Sequence, residues 1–203
     1  MFVTFDGPNG SGKSTIINEL AKYLVSKKKE IYITKEPSET EIGKFIRESE
    51  ENHSSYILAN LVAADRHNHI KTEILPYIKK GGIILCDRYI ASSLILQVLD
   101  GLSMNEVMKI NTGILKPDLS VIVYADEKTI NERLSDRSTL TRFERDFSSK
   151  REIELSFKAG NHLEELGYKI EYINTEEPIA KIIEKLGDII LKTYSLNDWE
   201  STK

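Results

Sequence analysis

The chain has almost no sulfur chemistry: Cys86 is the only cysteine among 203 residues. That excludes a disulfide framework and a cysteine-ligated metal site. It also lacks an excess of positive charge. Twenty-eight Lys and Arg stand against 32 Asp and Glu, a formal net charge of −4, which argues against broad binding to a nucleic-acid polymer. Basic residues should therefore matter where they cluster. No apolar run approaches the roughly 20 residues that cross a bilayer. Met1 leads straight into an apolar strand without a basic leader, so the expectation is a cytoplasmic protein with no membrane partner. His53, His67, His69 and His162 have no metal-ligand spacing. Repeats, low-complexity tracts and obvious linkers are missing too. One domain over residues 1–194 is expected, with a polar, loosely attached tail at 195–203.

What is present is alternation. Short apolar runs at 2–5, 30–34, 83–86, 119–124 and 168–173 read as strands. Helical patterns lie between and after them: a first helix striped by Ile16, Leu20, Tyr23 and Leu24, then 39–50 and 54–80, the latter bent or divided at Pro76. Further helices are expected at 92–99, 105–115 and 127–135, then up to 166, and at 178–194. Strands alternating with helices predict an α/β fold: a five-stranded parallel sheet covered by helices on both faces.

The strongest motif follows the first strand. Gly7-Pro8-Asn9-Gly10-Ser11-Gly12-Lys13-Ser14 fits G-x-x-x-x-G-K-[ST] between a strand and a helix. Its glycines let successive N–H groups turn inward around an anion. Lys13 adds a point charge for the β- and γ-phosphates, and the Ser14 hydroxyl is a ligand for Mg²⁺. The helix that begins here directs its positive end at the same anion. The motif predicts a bound nucleoside triphosphate.

Asp87 follows four buried apolar residues, so it stands at a strand end beside this loop, where a carboxylate helps hold Mg²⁺. The alternative is an ordinary polar strand terminator. Arg88 comes next, and its planar guanidinium can fork between two phosphates. Arg66 and Lys35 can add positive charge at the same edge. Arg133, Arg137, Arg142, Arg145 and Arg151 flank a polar stretch at about 136–150 with weak periodicity, which reads as a mobile, arginine-bearing lid. The competing reading is an exposed helix laced by Glu132, Asp136, Glu144 and Asp146. Arg142 and Arg145 fit the lid role and Arg151 the surface role, while Arg133 and Arg137 fit either. No covalent nucleophile is indicated, as suits phosphoryl transfer.

Together these residues resemble the thymidylate kinase family of nucleoside monophosphate kinases. The likeness runs from Phe2 to about Leu191, through FDGPNGSGKST, TKEPSETEIGKFIR, AADRHNH, CDRYIASS, PDLSVIVYAD, TRFERD and INTEEP in order. It implies a P-loop kinase fold, usually a homodimer, passing the ATP γ-phosphoryl group to dTMP. By this resemblance Gly7, Pro8, Asn9, Gly10, Ser11, Gly12, Lys13, Ser14 and Thr15 hold ATP, with Asn174 and Thr175 around adenine. Ser14 and Asp87 serve Mg²⁺, Arg88 bridges the donor and acceptor phosphates, and Arg142 and Arg145 act from the lid. Asn9, Lys35, Val62, Arg66, Ser92, Ser93, Leu96 and Gln97 then form the acceptor side.

Four positions depart from the family pattern. Asn9 replaces an acidic residue, Lys35 an arginine, Val62 a phenylalanine that stacks on thymine, and Leu96 a tyrosine near the sugar 2′ position. The phosphate machinery is kept and the base-and-sugar contacts are altered. Two alternatives therefore stand beside dTMP phosphorylation. One is a kinase specialised for another or a modified pyrimidine nucleotide, including a ribonucleotide. The other is a nucleotide-binding regulatory module that has lost catalysis.

Overall fold

The apolar runs become strands, and the three in the middle of the sheet are buried on both faces while the two outer ones are only partly covered. β1 (Phe2–Asp6) and β3 (Ile83–Asp87) lie at the centre, flanked by β2 (Ile31–Lys35), β4 (Leu119–Tyr124) and β5 (Ile170–Asn174). The computed structural model describes residues 1–53 and 55–201. All strand pairs are parallel, in the order β2-β3-β1-β4-β5. This is the expected α/β architecture.

The two faces carry separate cores. On one, α1 (Lys13–Ser26) and α10 (Ile179–Ser201) pack against β1, β3 and β4 through Ile16, Leu20, Leu24, Leu186 and Ile190. Each fully buried aliphatic side chain here contributes roughly 1.5–3 kcal/mol relative to exposure. The other face is covered by α3 (Ser55–His69), α5 (Ile90–Leu99) and α9 (Ser149–Glu165), through residues such as Ala59, Leu94, Leu155 and Leu163. The connections leaving β1 and β3 thus run to opposite faces, which opens a crevice at their carboxyl ends.

Several boundaries differ from the sequence expectations for local reasons. The helix expected over 54–80 is divided: α3 is followed by a π-helical turn at Ile70–Ile74 and by α4 (Leu75–Lys79). Leu75 N–H donates to Ile70 O, and Pro76 has no N–H to continue the regular ladder. The helix expected at 105–115 is the shorter α6 (Met104–Ile110), capped by a reciprocal Ser103–Glu106 pair. β5 starts two residues late because Tyr168 still serves α9. Tyr168 N–H donates to Leu163 O and Gly167 N–H to Glu164 O, with Gly167 at φ 76°, a Schellman ending. α10 continues through Ser201, so the expected tail at 195–203 begins as helix, and Thr202 and Lys203 lie outside the described residues.

The stretch at 136–150, expected to be a lid, also has structure of its own. α7 (Glu127–Ser135) precedes it, and within it sits α8 (Arg142–Asp146), capped by a Thr141–Glu144 box. Ser148 caps the start of α9.

The loop between β2 and α2 (Glu41–Ser49) is held from two sides. Asp65 on α3 accepts from Ser38 N–H at 2.6 Å, from Ser38 Oγ at 2.6 Å and from Thr40 Oγ1 at 3.1 Å. Arg47 on α2 donates to Pro37 O at 2.6 Å and Ser38 O at 2.7 Å. Gly43 makes this closeness possible, because a Cβ there would meet Ser38 O at 2.0 Å. Gly43→Ala should therefore push the loop off α2 and destabilise the protein by about 1–3 kcal/mol. Urea unfolding checks this, and an unchanged midpoint would contradict it.

Candidate active site

Parallel pairing brings the ends of β1 and β3 together, with Phe5 opposite Asp87. The residues that follow each strand therefore face one another. Gly7 leaves β1 at φ 137° against Val123 O, which a Cβ would approach to 2.0 Å, so no side chain fits there. Asp6, fully buried, accepts from Tyr89 N–H at 2.7 Å and Ser92 N–H at 2.8 Å. Its carboxylate thus satisfies backbone donors at the start of α5 and ties that helix to β1. Burial raises the Asp6 pKa, against these hydrogen bonds that lower it.

Lys13 curls over the loop. Its Nζ donates to Pro8 O at 2.7 Å, Gly7 O at 3.1 Å and Ser11 Oγ at 3.4 Å. Burial, and then the nearby Arg88 charge, bring its pKa down to about 7. Ser14 Oγ donates to Asp87 Oδ2 at 2.9 Å, while Asp87 Oδ1 is buried without a hydrogen-bond partner among the described residues. A hydroxyl and a carboxylate with a spare oxygen side by side are the hard donors a magnesium ion takes, with water completing its shell.

Arg88 occupies the hinge between the two loops. It adopts φ 71°, unusual for a residue with a side chain. Its N–H donates to Phe5 O at 2.8 Å and its Nη2 to Asn9 Oδ1 at 2.6 Å. Asn9 is held in turn by Glu152 of α9, which accepts from Asn9 N–H at 2.8 Å and from Asn9 Nδ2 at 3.2 Å.

Two cavities meet here. The first, about 930 Å³, opens over the loop. Of the residues expected to hold ATP and Mg²⁺, it is lined by Asn9, Gly10, Gly12, Lys13, Ser14, Thr15, Asp87 and Thr175. Gly7, Pro8 and Ser11 lie within the loop, and Asn174 ends β5 with its Oδ1 accepting from Glu176 N–H. The second cavity, about 420 Å³, lies toward α2, α3 and α5. Asn9, Lys35, Val62, Arg66, Arg88, Ser92, Ser93, Leu96 and Gln97 all line it. Asn9, Arg88 and Thr141 border both cavities.

Within the second cavity the polar groups differ in how free they are. Among the described residues Ser92 Oγ is buried with no well-formed hydrogen bond, although it bears on the Asp6 carboxyl. Arg66 is 1% exposed and engaged on several sides. It donates to Glu36 at 2.8 Å, Ser93 Oγ at 2.9 Å, Tyr89 O at 3.1 Å and also to Asn111. Lys35 is exposed and paired with Glu39 at 2.8 Å. Glu50 has a raised pKa, from burial first and then from Glu51.

The arginines of the lid divide in an order the sequence did not show. Arg133 and Arg137, which fitted either reading, line the first cavity. Arg133 reaches Thr175 Oγ1 at 3.0 Å and Gly10 O at 3.3 Å. Arg142 and Arg145 do not line it. Arg142 makes a two-pronged pair with Asp100 at 2.7 and 2.8 Å, whereas Arg145 donates from Nη2 alone to both Glu51 oxygens, at 2.7 and 2.8 Å. Arg151 pairs with Glu154 on the surface of α9.

Sequence reading missed Asp6, Glu36, Phe143 and Glu152. Phe143 of α8 packs with Ile46 and Leu58 and forms part of the second cavity's wall. Glu152 did leave a signal: it falls on the same helical stripe as Leu155, Ala159 and Leu163, where a charge is out of place. Glu36 and Phe143 had no comparable signal, since one sits in a loop and the other among arginines.

Comparison with known proteins gives one consistent answer. A family model described as thymidylate kinase matches residues 5–186. A probable thymidylate kinase of Pyrococcus abyssi is 32% identical, covering 93% of this chain and 95% of the relative. A thymidylate kinase of Caldicellulosiruptor saccharolyticus is 30% identical, with 94% and 97% covered. One from Finegoldia magna is 35% identical, with 98% and 93% covered.

Two measurements probe the site directly. An anion in the loop restores the ammonium of Lys13, so polyphosphate binding should take up protons at pH 8 and weaken as pH rises through 7 toward 10.5. In the same window the unfolded chain holds more protons at Lys13, so this group's cost to the fold shrinks as pH rises. Calorimetry in buffers of different ionisation enthalpy reads the uptake; buffer-independent heats would refute it. For Arg88, the φ of 71° predicts that Arg88→Gly melts above Arg88→Ala, a difference of about 1 kcal/mol. Equal stability would show that the backbone there is unstrained.

Proposed function

The chain belongs to the thymidylate kinase family, and from that premise we propose that it transfers the ATP γ-phosphoryl group to dTMP, giving dTDP. Its activity as a nucleoside monophosphate kinase follows from the family; the donor and acceptor are our reading. The observation that carries it is the placement of Arg88 and Asn9 on the border shared by the loop cavity and the second cavity.

ATP enters the first cavity with its phosphates on the loop N–H groups, the α1 N-terminus and Lys13, and its adenine toward Thr175 and Asn174. The monophosphate enters the second, phosphate toward Lys35 and Arg88, base against Val62, Leu96 and Phe143. Arg88 then reaches both phosphates, and its fork favours charge spread over the transferring group. Ser14 and Asp87 would hold a magnesium ion, which supplies neutralisation of phosphate charge. The donor set described above fits that role. Arg133 and Arg137 stand on the donor side. Arg142 and Arg145 join them only by leaving Asp100 and Glu51, so their lid role requires rearrangement of α8. The polar positioning needs no covalent step. One domain over 1–194, a homodimer and a cytoplasmic location belong to the same reading and rest on family likeness.

A second acceptor class has its own support. The apolar wall of the second cavity includes Ile46, Leu58, Val62 and Leu96, all aliphatic, and such a wall constrains a base by shape more than by hydrogen bonds. ADP release should be measured with dTMP, dUMP, UMP, CMP, dCMP, GMP and AMP. The expected result is highest kcat/KM with dTMP. Strong turnover of another pyrimidine with poor turnover of dTMP would replace the acceptor. ATP binding without any transfer would favour the regulatory module.

A further inference from the structure

Buried carboxylates are rare unless something needs them, and Glu152 is 2% exposed. Among the described residues its hydrogen-bond partners are the amides of Asn9, the backbone N–H and the side-chain Nδ2. Lys13 is near enough to feel the Glu152 charge, but the donors that hydrogen-bond to the carboxylate are neutral ones on a loop 143 residues away. Desolvating a carboxylate is costly, and two amides offset it only in part. The arrangement therefore makes poor sense as a device for stability alone.

The geometry continues beyond Asn9. With Nδ2 held by Glu152, the other end of the Asn9 amide, Oδ1, is turned toward Arg88 and accepts from Nη2 at 2.6 Å. An asparagine amide could present either end. Glu152 accepts only, so it selects the donor end for itself and leaves the acceptor end for the guanidinium. It also takes the Asn9 N–H, which fixes the turn of the loop between Pro8 and Gly10.

We propose that Glu152 is a positioning residue for phosphoryl transfer: acting through Asn9, it orients the loop and holds the Arg88 guanidinium on the border of the two cavities. The relay runs from α9 to the phosphate loop to the strand end after β3. It rests on the kinase reading above. It also accounts for an asparagine at this place in the loop, because a carboxylate there would face the carboxylate of Glu152.

The relay predicts a reciprocal exchange. Glu152→Gln can turn its own amide either way and no longer dictates the orientation of Asn9. It should lower kcat by about 10–100-fold, the loss expected for one hydrogen bond to a charged group. Asn9→Asp opposes two buried carboxylates and should lose at least as much. In the double variant, Asn9→Asp with Glu152→Gln, the glutamine Nε2 donates to the new carboxylate and Oε1 accepts the loop N–H. The new carboxylate still accepts from Arg88, so kcat should recover to within about threefold of the wild type.

Kinetics of the four proteins with ATP and dTMP read this, alongside melting temperatures and the Arg88 guanidinium resonances of the unliganded proteins, assigned with Arg88→Lys. Hindered, separate Arg88 Nη signals in the wild type and the double variant, averaged in Glu152→Gln, support the relay. A Glu152→Gln enzyme with wild-type kcat overturns it. So does a double variant that regains its melting temperature but not its kcat, since Glu152 would then be structural. If the wild type transfers phosphate to no acceptor, the kinase reading fails, and the guanidinium signals alone decide whether Glu152 positions Arg88.

Discussion

The register of β1 against β3 is the constraint from which the site follows. Phe5 lies opposite Asp87, so the chain leaves both strands at the same level and on opposite faces. Gly7 through Ser14 and Asp87 through Arg88 must then share one crevice. A slip of one residue would turn Asp87 to the other face of the sheet and part it from Ser14. The pairing is held by strands buried on both faces, where every alternate side chain belongs to one of two cores. Asp6 adds a direct tie by bonding the first backbone amides of α5.

Burial makes the polar groups of this crevice consequential. Lys13 and Asp6 are both shifted toward neutrality by loss of water; Asp6 still ties α5 to β1, whereas Lys13 donates only to loop oxygens. Arg66, Glu36 and His69 form a further buried set behind the second cavity. There Arg66 serves as a rigid wall with most of its donors already committed. Ser92 and Asp87, by contrast, each keep a buried oxygen with no well-formed hydrogen bond among the described residues. Free oxygens on the walls and saturated groups behind them are what a preorganised site requires.

The two ion pairs made by α8 differ in strength for the same reason. Asp100 and Arg142 are 4% and 11% exposed, while Glu51 and Arg145 are about half exposed. Exposed pairs are typically worth below about 1 kcal/mol, because water and salt screen them. The Asp100–Arg142 fork, beside Phe143 and its contacts with Ile46 and Leu58, therefore sets where α8 rests. α8 rests against the second cavity by packing and one part-buried pair more than by its exposed charges.

Much of this was legible in local sequence. The phosphate loop, the buried strands, the first helix stripe and Asp87–Arg88 are short-range patterns, because loop conformation, alternation and helical period depend on near neighbours. The residues that the family motifs suggested for the acceptor side share one cavity. Boundaries were less legible where a cap decides them, as at Gly167–Tyr168, or where Pro76 follows a π turn. What tertiary structure alone decided is which arginines face the loop and what holds Asn9. Arg133 and Arg137 reach the first cavity because α7 runs beside it, while Arg142 and Arg145 find carboxylates from α5 and the α2–α3 connection. Glu152 meets Asn9 only because α9 crosses the end of β1. Partners so far apart in the chain are chosen by packing, and no spacing in the sequence encodes that choice.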